Sequence, residues 1–228
     1  MANRGVRLKL ESLKNSGSFT DCLYDKIIFK KTKAVLGGNV RLILTGSAPV
    51  SAEVVNFLKI AFCCPILEGY GQTEGCGAEF CQEVSDTTSG NVGGVFPINE
   101  FKLSDVPEMN YTSKDVDENG FLAPRGEILV RGLGVIPGYY KSPLKTAEAI
   151  DADGWLHSGD IGCIIPGNNC LKIVDRVKNI FKLSQGEYVA PDRLEQIFKT
   201  AMGVSDIYVY GDSYKSHLVA VVNIDPAM

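Results

Sequence analysis

The 228-residue sequence has little histidine and tryptophan, with two residues of the first and one of the second. Its seven cysteines are irregularly spaced, which disfavours a Cys/His zinc site and predicts free thiols in a reducing compartment. No apolar run reaches the roughly 18 residues that a membrane span needs, and no secretory signal is recognisable. We therefore expect an intracellular protein, in the cytoplasm or on the cytosolic face of an internal membrane. Any membrane contact is expected to be peripheral, through the surface of this chain or through a segment outside it.

An excess of basic residues is also missing from this chain. The formal net charge is −4, so we expect no nucleic-acid partner, because nucleic-acid surfaces are normally basic. The content of 45% hydrophobic and 22% charged residues is typical of a globular protein. The length allows one large or two small domains, and there are no internal repeats or low-complexity segments.

The first 90 residues have the pattern of an α/β layer. The apolar run VRLILT at 40–45 predicts a buried strand, and GSAP at 46–49 predicts the turn that follows it. Ser51 is the predicted N-cap of a helix, and residues 65–68 return to the sheet. This order is typical of a parallel α/β layer. The predicted buried face of the helix consists of Val54, Val55, Leu58, Ala61 and Phe62.

From about residue 91 the sequence predicts short strands between glycines. Strands are expected at 101–104, 126–132 and 171–176, with a polar loop at 107–120, which together form a small β-rich subdomain. Pro191 starts an amphipathic helix, and strands follow at 207–210 and 218–224. We predict a large domain over 1–176 and an incomplete small domain over 177–228. The predicted apolar face of the helix consists of Leu194, Ile197, Phe198 and Ala201.

The string EGYGQTEG at 68–75 concentrates groups that suit a nucleotide. Its glycines let the backbone approach a flat ligand. Thr73 offers a hydroxyl and an N–H to a phosphate oxygen, and Glu74 is a hard oxygen ligand suited to Mg²⁺. By itself, the string is explained equally well as a glycine-rich turn with Thr73 and Glu74 as capping residues.

Two further polar residues follow predicted strands. Asp160, in HSGDIG, has two acceptor oxygens that match the vicinal hydroxyls of a ribose, and an aspartate in a turn is the alternative interpretation. Arg176 ends the strand LKIVDR beside Asp175. A surface ion pair between these two is the alternative to a ribose or phosphate contact by the guanidinium.

The motifs YGQTE, GSAP and SGD resemble those of the adenylate-forming enzymes. The strings PRGEILVRG, GYYKSPLKTAEAI, GWLHSGDIG and KNIFKLSQGEYVAP resemble the long-chain fatty acyl-CoA synthetases among them, from about Lys26 onward. Ser158 stands where the family has threonine, which keeps the hydroxyl. The resemblance implies an α/β fold: the later part of the large AMP-binding domain, with its α/β layer to about residue 90, followed by the start of a small α+β C-terminal domain.

The resemblance implies a site for ATP or AMP, Mg²⁺ and coenzyme A, with a fatty acid as the remaining substrate. Lys178 is the implied hinge between the two half-reactions, and Gly186 would let the pantetheine arm of CoA pass. The implied catalytic residues are Thr73, Glu74, Arg176 and Lys178, of which Glu74 is the metal ligand. The implied nucleotide and CoA contacts are Gly46, Ser47, Ala48, Pro49, Glu68, Gly69, Tyr70, Gly71, Gln72, Thr73, Asp160, Arg176 and Gly186.

The implied activity is the ATP-dependent conversion of a long-chain fatty acid through acyl-adenylate to acyl-CoA, with release of pyrophosphate and AMP. The family also uses a Ser/Thr/Gly-rich phosphate loop and a lysine near the C-terminus, and neither is recognisable here. We therefore expect this chain alone to be inactive. Two alternatives stay open: another adenylate-forming enzyme, such as an aryl-CoA ligase, a luciferase-like oxygenase or a peptide-synthetase adenylation domain, and a non-catalytic nucleotide- or acyl-CoA-binding remnant.

Overall fold

The computed structural model describes residues 2–176, 181–185, 188–189, 191–212 and 214–225. No helix in these ranges is both long enough and apolar enough to cross a bilayer. The domain border predicted after residue 176 stays a prediction. The chain divides into two compact units, the first with Met1–Phe101, Val130–Glu148 and Asn168–Lys172, the second with Lys102–Leu129, Ala149–Gly167 and Ile173–Met228.

Helices dominate the beginning of the first unit. The helices are α1 (Ala2–Ser16), α2 (Cys22–Ile27), α3 (Phe29–Val35) and α4 (Ala52–Phe62). The hydroxyl of Ser51 accepts a hydrogen bond from the N–H of Val54 at 3.3 Å, which confirms the predicted N-cap of α4. This bond satisfies one of the N–H groups that the first turn of a helix leaves without a partner.

The buried face of α4 differs from the predicted one at Val54, Lys59 and Ile60, of which Ile60 is fully buried without having been predicted. Val55 is buried, as predicted, but Val54 is 47% exposed. Lys59 is buried instead, and its Nζ donates to the carbonyl oxygens of Thr87 and Thr88 at 3.1 and 2.7 Å. Hydrophobic spacing does not reveal such a position, because a lysine can be buried when its donors find acceptors.

The first unit contains a four-stranded sheet in the order β1-β2-β3-β4. Its strands are β1 (Ile43–Thr45), β2 (Ile66–Gln72), β3 (Gly77–Cys81) and β4 (Gly94–Val95). Strand β1 pairs with β2 in parallel, which confirms the predicted strand–helix–strand unit, and the other two pairs are antiparallel. The prediction of a buried strand over 40–45 is wrong, because β1 begins at Ile43 and Leu44 is 66% exposed. The core of this unit includes the buried side chains of Val55, Ile60, Ile66 and Phe80.

Four more strands form a sheet in the order β5-β6-β7-β8, and most of their residues belong to the second unit. Three of them confirm predicted strands, and the fourth carries Asp160. They are β5 (Asn99–Ser104), β6 (Arg125–Gly132), β7 (Leu156–Ile164) and β8 (Leu171–Arg176). Helix α5 (Pro143–Ala149) comes between β6 and β7 in the sequence.

The last part of the second unit contains two strand pairs and one helix. Helix α6 packs against β11, but its predicted apolar face is wrong at three positions. Ile197 and Phe198 are 56% and 49% exposed, and Ala201 is exposed and lies beyond the end of the helix. Glu195 of α6 bonds to β11, since its Oε1 accepts from the N–H of Val209 at 2.7 Å. The elements are β9 (Phe181–Lys182), β10 (Tyr188–Val189), α6 (Pro191–Lys199), β11 (Val204–Gly211) and β12 (Leu218–Ile224), with β9–β10 and β11–β12 antiparallel.

Candidate functional site

The motif EGYGQTEG lies in a β-hairpin and not in a loop that follows a strand. Strand β2 continues through the motif to Gln72, and Thr73–Gly75 forms a single 3-10 turn before β3 begins. Tyr70 pairs with Phe80 and Gln72 with Gly77. A glycine-rich turn was one interpretation of the string, and only Thr73–Gly75 forms such a turn, whereas the pairing with β3 holds residues 69–72 extended.

Gly71 is fixed by its own hairpin. A Cβ atom at this position would lie 1.8 Å from the carbonyl oxygen of Gly77 on the paired strand. No L-amino acid with a side chain fits there unless the backbone moves, so glycine is required by the fold of the motif even before a ligand is considered.

The loop at 46–49 lies beside the same strand, as predicted. A Cβ atom on Gly46 would lie 3.0 Å from the carbonyl oxygen of Gly69, so the two backbones are close. Ser47 has a φ of 66°, a left-handed conformation that is uncommon for residues other than glycine. Ala48 and Pro49 complete this turn before α4. The structure therefore brings together, within the first unit, the residues predicted at 46–49 and those of the motif.

The carboxylate of Glu74 is held by a residue that the sequence did not indicate. The hydroxyl of Tyr139 donates to Oε1 of Glu74 at 2.5 Å, and the N–H of Ile136 donates to the carbonyl oxygen of Glu74 at 2.8 Å. The bond to the Glu74 carboxylate is the main reason that the pKa of the Tyr139 phenol is raised above its ordinary value. Tyr139 thus stays a protonated donor. The signal in the sequence was GYYKSP, which carried only the family resemblance.

Glu68 is turned towards the loop that follows β3. Its side chain is 8% exposed, and its Oε1 accepts from the N–H of Gly90 at 2.7 Å. Its own N–H donates to Oε1 of Gln82 at 2.9 Å. Burial raises the pKa of the Glu68 carboxyl and lowers that of the nearby Lys59 ammonium, and their opposite charges counteract both shifts. The Glu68 carboxylate therefore fixes the loop at Gly90 to the start of the motif strand.

In the second unit, the structure brings together the two polar residues predicted from β7 and β8. Nε of Arg176 donates to Oδ1 of Asp160 at 2.8 Å. The Asp160 carboxylate has a side-chain exposure of 7%, whereas the Arg176 side chain is 64% exposed. The guanidinium of Arg176 is thus engaged with Asp160, and the predicted alternative, a pair with Asp175, concerns a side chain outside those that the structure describes. A nearly buried carboxylate held by an accessible guanidinium is a suitable partner for hydroxyl and phosphate groups of a ligand.

The turn before Asp160 has a second support that the sequence did not indicate. Oε1 of Glu127, on β6, accepts from the N–H of Gly159 at 3.0 Å, and Oε2 of Glu127 lies 3.1 Å from Nδ1 of His157. Gly159 has a φ of 71° in the middle of β7. A glutamate one strand away, 32 residues earlier in the sequence, therefore fixes the backbone that presents Asp160.

Two predicted site residues, Lys178 and Gly186, lie outside the described residues. Among the residues that the structure describes, no group of three or more His, Cys, Asp and Glu side chains could hold a metal ion. A single carboxylate such as Glu74 still suits Mg²⁺, because this ion is usually held by one or two carboxylates together with the phosphates of the substrate.

Comparison with known proteins gives the family. The profile of the AMP-binding enzyme family matches residues 11–140. Long chain acyl-CoA synthetase 6, peroxisomal, of Arabidopsis thaliana is 47% identical over a match that covers 98% of this chain and 31% of the synthetase. Long-chain-fatty-acid–CoA ligase 1 of Homo sapiens is 49% identical over a match that covers 88% of this chain and 27% of the ligase. This chain thus spans less than a third of the length of these curated relatives.

A solved structure agrees with this match in sequence. The A domain of a carboxylic acid reductase from Segniliparus rugosus, in complex with AMP and a co-purified carboxylic acid, superposes with a TM-score of 0.75 and is 34% identical. The superposition covers 99% of this chain and 34% of that one. The α/β fold predicted from the sequence is thereby confirmed as that of an adenylation domain, and the chain belongs to the family of AMP-binding enzymes.

Proposed function

We propose that the complete protein, meaning the full translation product that contains this chain, is an AMP-forming long-chain fatty acid–CoA ligase. The observation that carries the proposal is the identity of 47% and 49% to long-chain acyl-CoA synthetases over 98% and 88% of the chain. The matched regions include both groups of candidate site residues, those at 46–74 and those at 160–176. The substrates are then a fatty acid, ATP and CoA. The intracellular location, the peripheral membrane contact and the absence of a nucleic-acid partner stay predictions.

The proposed reaction has two steps. The fatty acid carboxylate attacks the α-phosphorus of ATP, a bond from carboxylate oxygen to phosphorus forms, and pyrophosphate leaves. The thiolate sulfur of CoA then attacks the acyl carbon, and AMP leaves with the electron pair of the broken C–O bond. The part of the protein in such group transfers is to orient the reactants and neutralise charge.

We propose that the residues of the first unit contact adenine and phosphate. The loop of Gly46, Ser47, Ala48 and Pro49 and the strand residues Gly69, Tyr70, Gly71 and Gln72 would lie along the base, as the resemblance implies. Thr73 would donate to the α-phosphate, and Glu74 would hold Mg²⁺, which supplies positive charge to the phosphate oxygens. The orientation of Glu74 by Tyr139 supports its proposed role.

We propose that Asp160 accepts hydrogen bonds from the ribose hydroxyls and that Arg176 contacts ribose or phosphate. Their hydrogen bond and the low exposure of the Asp160 carboxylate support this assignment, because a pre-oriented charged acceptor binds hydroxyls more strongly than a mobile one. The proposed roles of Lys178 as a hinge and Gly186 as a CoA contact rest on the sequence alone.

The proposal is tested with the purified complete protein. It should release AMP and form acyl-CoA when hexadecanoate, MgATP and CoA are all present, and AMP release should fall to background when any one of them is omitted. Benzoate in place of hexadecanoate is the matched control for an aryl-CoA ligase. Turnover of benzoate and not of hexadecanoate, or the absence of AMP release with both acids, would overturn the proposed function.

Substitution of Tyr139 by phenylalanine should raise the KM for MgATP in the complete protein. The change removes only the hydroxyl that donates to Glu74, so the carboxylate is free to adopt other rotamers. The net worth of one hydrogen bond predicts about a three- to tenfold increase. Tyr140→Phe is the matched control, because the neighbouring Tyr140 is 87% exposed and should leave the KM unchanged. Equal effects of the two substitutions would show that Tyr139 does not orient Glu74.

A further inference from the structure

Glu127 connects strand β6 to the turn of β7 that carries Asp160. Its two carboxylate oxygens have different partners, the N–H of Gly159 for Oε1 at 3.0 Å and Nδ1 of His157 for Oε2 at 3.1 Å. The Glu127 side chain is 19% exposed, so water competes little for either contact. One carboxylate thus holds both residues that flank Ser158.

The backbone held by Glu127 has an unusual conformation for a strand. Gly159 has a φ of 71°, in the left-handed region that residues with a Cβ atom rarely adopt. The N–H of the next residue, Asp160, donates to the hydroxyl of Ser158 at 3.0 Å. The direction in which Asp160 leaves the turn therefore depends on the Gly159 conformation, which the bond to Glu127 stabilises.

His157 fixes the other side of the Glu127 carboxylate. Its Nε2 lies 3.7 Å from Oδ2 of Asp151, so the imidazole is placed between two carboxylates. A glutamate that accepts from an imidazole and from a backbone N–H has little rotational freedom. The N–H of Gly159 is consequently offered a preformed charged acceptor.

We infer that Glu127 is a positioning residue for nucleotide binding, which acts on the ligand through Gly159 and Asp160. It fixes the turn so that the Asp160 carboxylate is already directed at the ribose when the nucleotide arrives. This inference rests on the proposed function only in naming the nucleotide as the ligand. The positioning itself concerns contacts within the second unit.

The test compares Glu127→Met and Glu127→Gln in the complete protein. Methionine has a similar length but no acceptor for the Gly159 N–H, whereas the amide oxygen of glutamine can still accept from it. We expect the Kd for AMP, measured by calorimetry, to rise about tenfold with methionine and less than about threefold with glutamine. Glu127→Ala replaces the methionine variant if that variant does not fold. Glu100→Ala is the control, because Glu100 on β5 pairs with the partly exposed Arg131 and should leave the Kd unchanged.

Hydrogen exchange of the amide of Gly159 provides a readout that does not depend on activity. Exchange should be faster in the methionine variant than in the wild type and near wild type in the glutamine variant. Equal AMP affinity and equal exchange in all variants would overturn the inference. If the wild-type protein bound no AMP, the proposed function would fail, and the exchange of Gly159 would still decide whether Glu127 fixes the turn.

Discussion

Substitution of Asp160 by alanine should weaken ATP binding by the complete protein roughly ten- to hundredfold. This range corresponds to the loss of hydrogen bonds to a charged group, about 1.5–3 kcal/mol. The carboxylate is nearly buried and already bonded to Arg176, so its loss removes a pre-oriented acceptor. The measurement is the Kd for ATP by calorimetry or fluorescence titration, in the presence of Mg²⁺.

The effect on affinity can be separated from an effect on folding. Arg176 is 64% exposed, so water can solvate its guanidinium once Asp160 is gone, and the stability cost should be small. Asp206→Ala is a matched control, because Asp206 also forms an ion pair, with Lys199 at 2.7 Å, but is 62% exposed. It should not change the Kd. An Asp160→Ala protein with the wild-type Kd would mean that this residue only stabilises a turn.

Helices and strands could be predicted from local sequence patterns, because capping and the alternation of apolar residues act over a few neighbouring positions. Ser51 was predicted as an N-cap from the chemistry of its hydroxyl, and the structure confirms it. The strands at β6, β8, β11 and β12 were predicted from short apolar runs, and they are present. The predicted burial was wrong where a residue distant in the sequence decides whether a side chain is buried. Lys59 is buried because backbone carbonyl oxygens of a distant loop accept hydrogen bonds from its ammonium group, and spacing along a helix does not reveal such partners.

The sequence indicates candidate site residues but not the residues that hold them in place. Asp160, Arg176 and Glu74 were indicated by residue type and by the family resemblance. The contact of Tyr139 with Glu74 and that of Glu127 with Gly159, the residue before Asp160, were not indicated, because these contacts depend on which strands and loops become neighbours in space. The Glu74–Tyr139 contact joins residues 65 positions apart, and no periodicity or local spacing encodes such a pair. The bond between Arg176 and Asp160 joins residues 16 positions apart, on adjacent strands of one sheet, and was missed for the same reason.

Substitution of Gly71 by alanine should lower the free energy of unfolding by about 3 kcal/mol, because an added methyl group cannot fit without movement of the backbone. The new Cβ atom would lie 1.8 Å from the carbonyl oxygen of Gly77, and a backbone atom cannot rotate away as a flexible side chain can. Opening of the hairpin would also displace Thr73 and Glu74, so ATP affinity should fall with stability. Gly94→Ala is the matched control, since Gly94 lies in the same sheet and a Cβ atom there meets nothing within 4 Å. Thermal and urea unfolding of both variants measure the difference, and equal stability would show that the β2–β3 pairing at Gly71 is looser than the hairpin geometry requires.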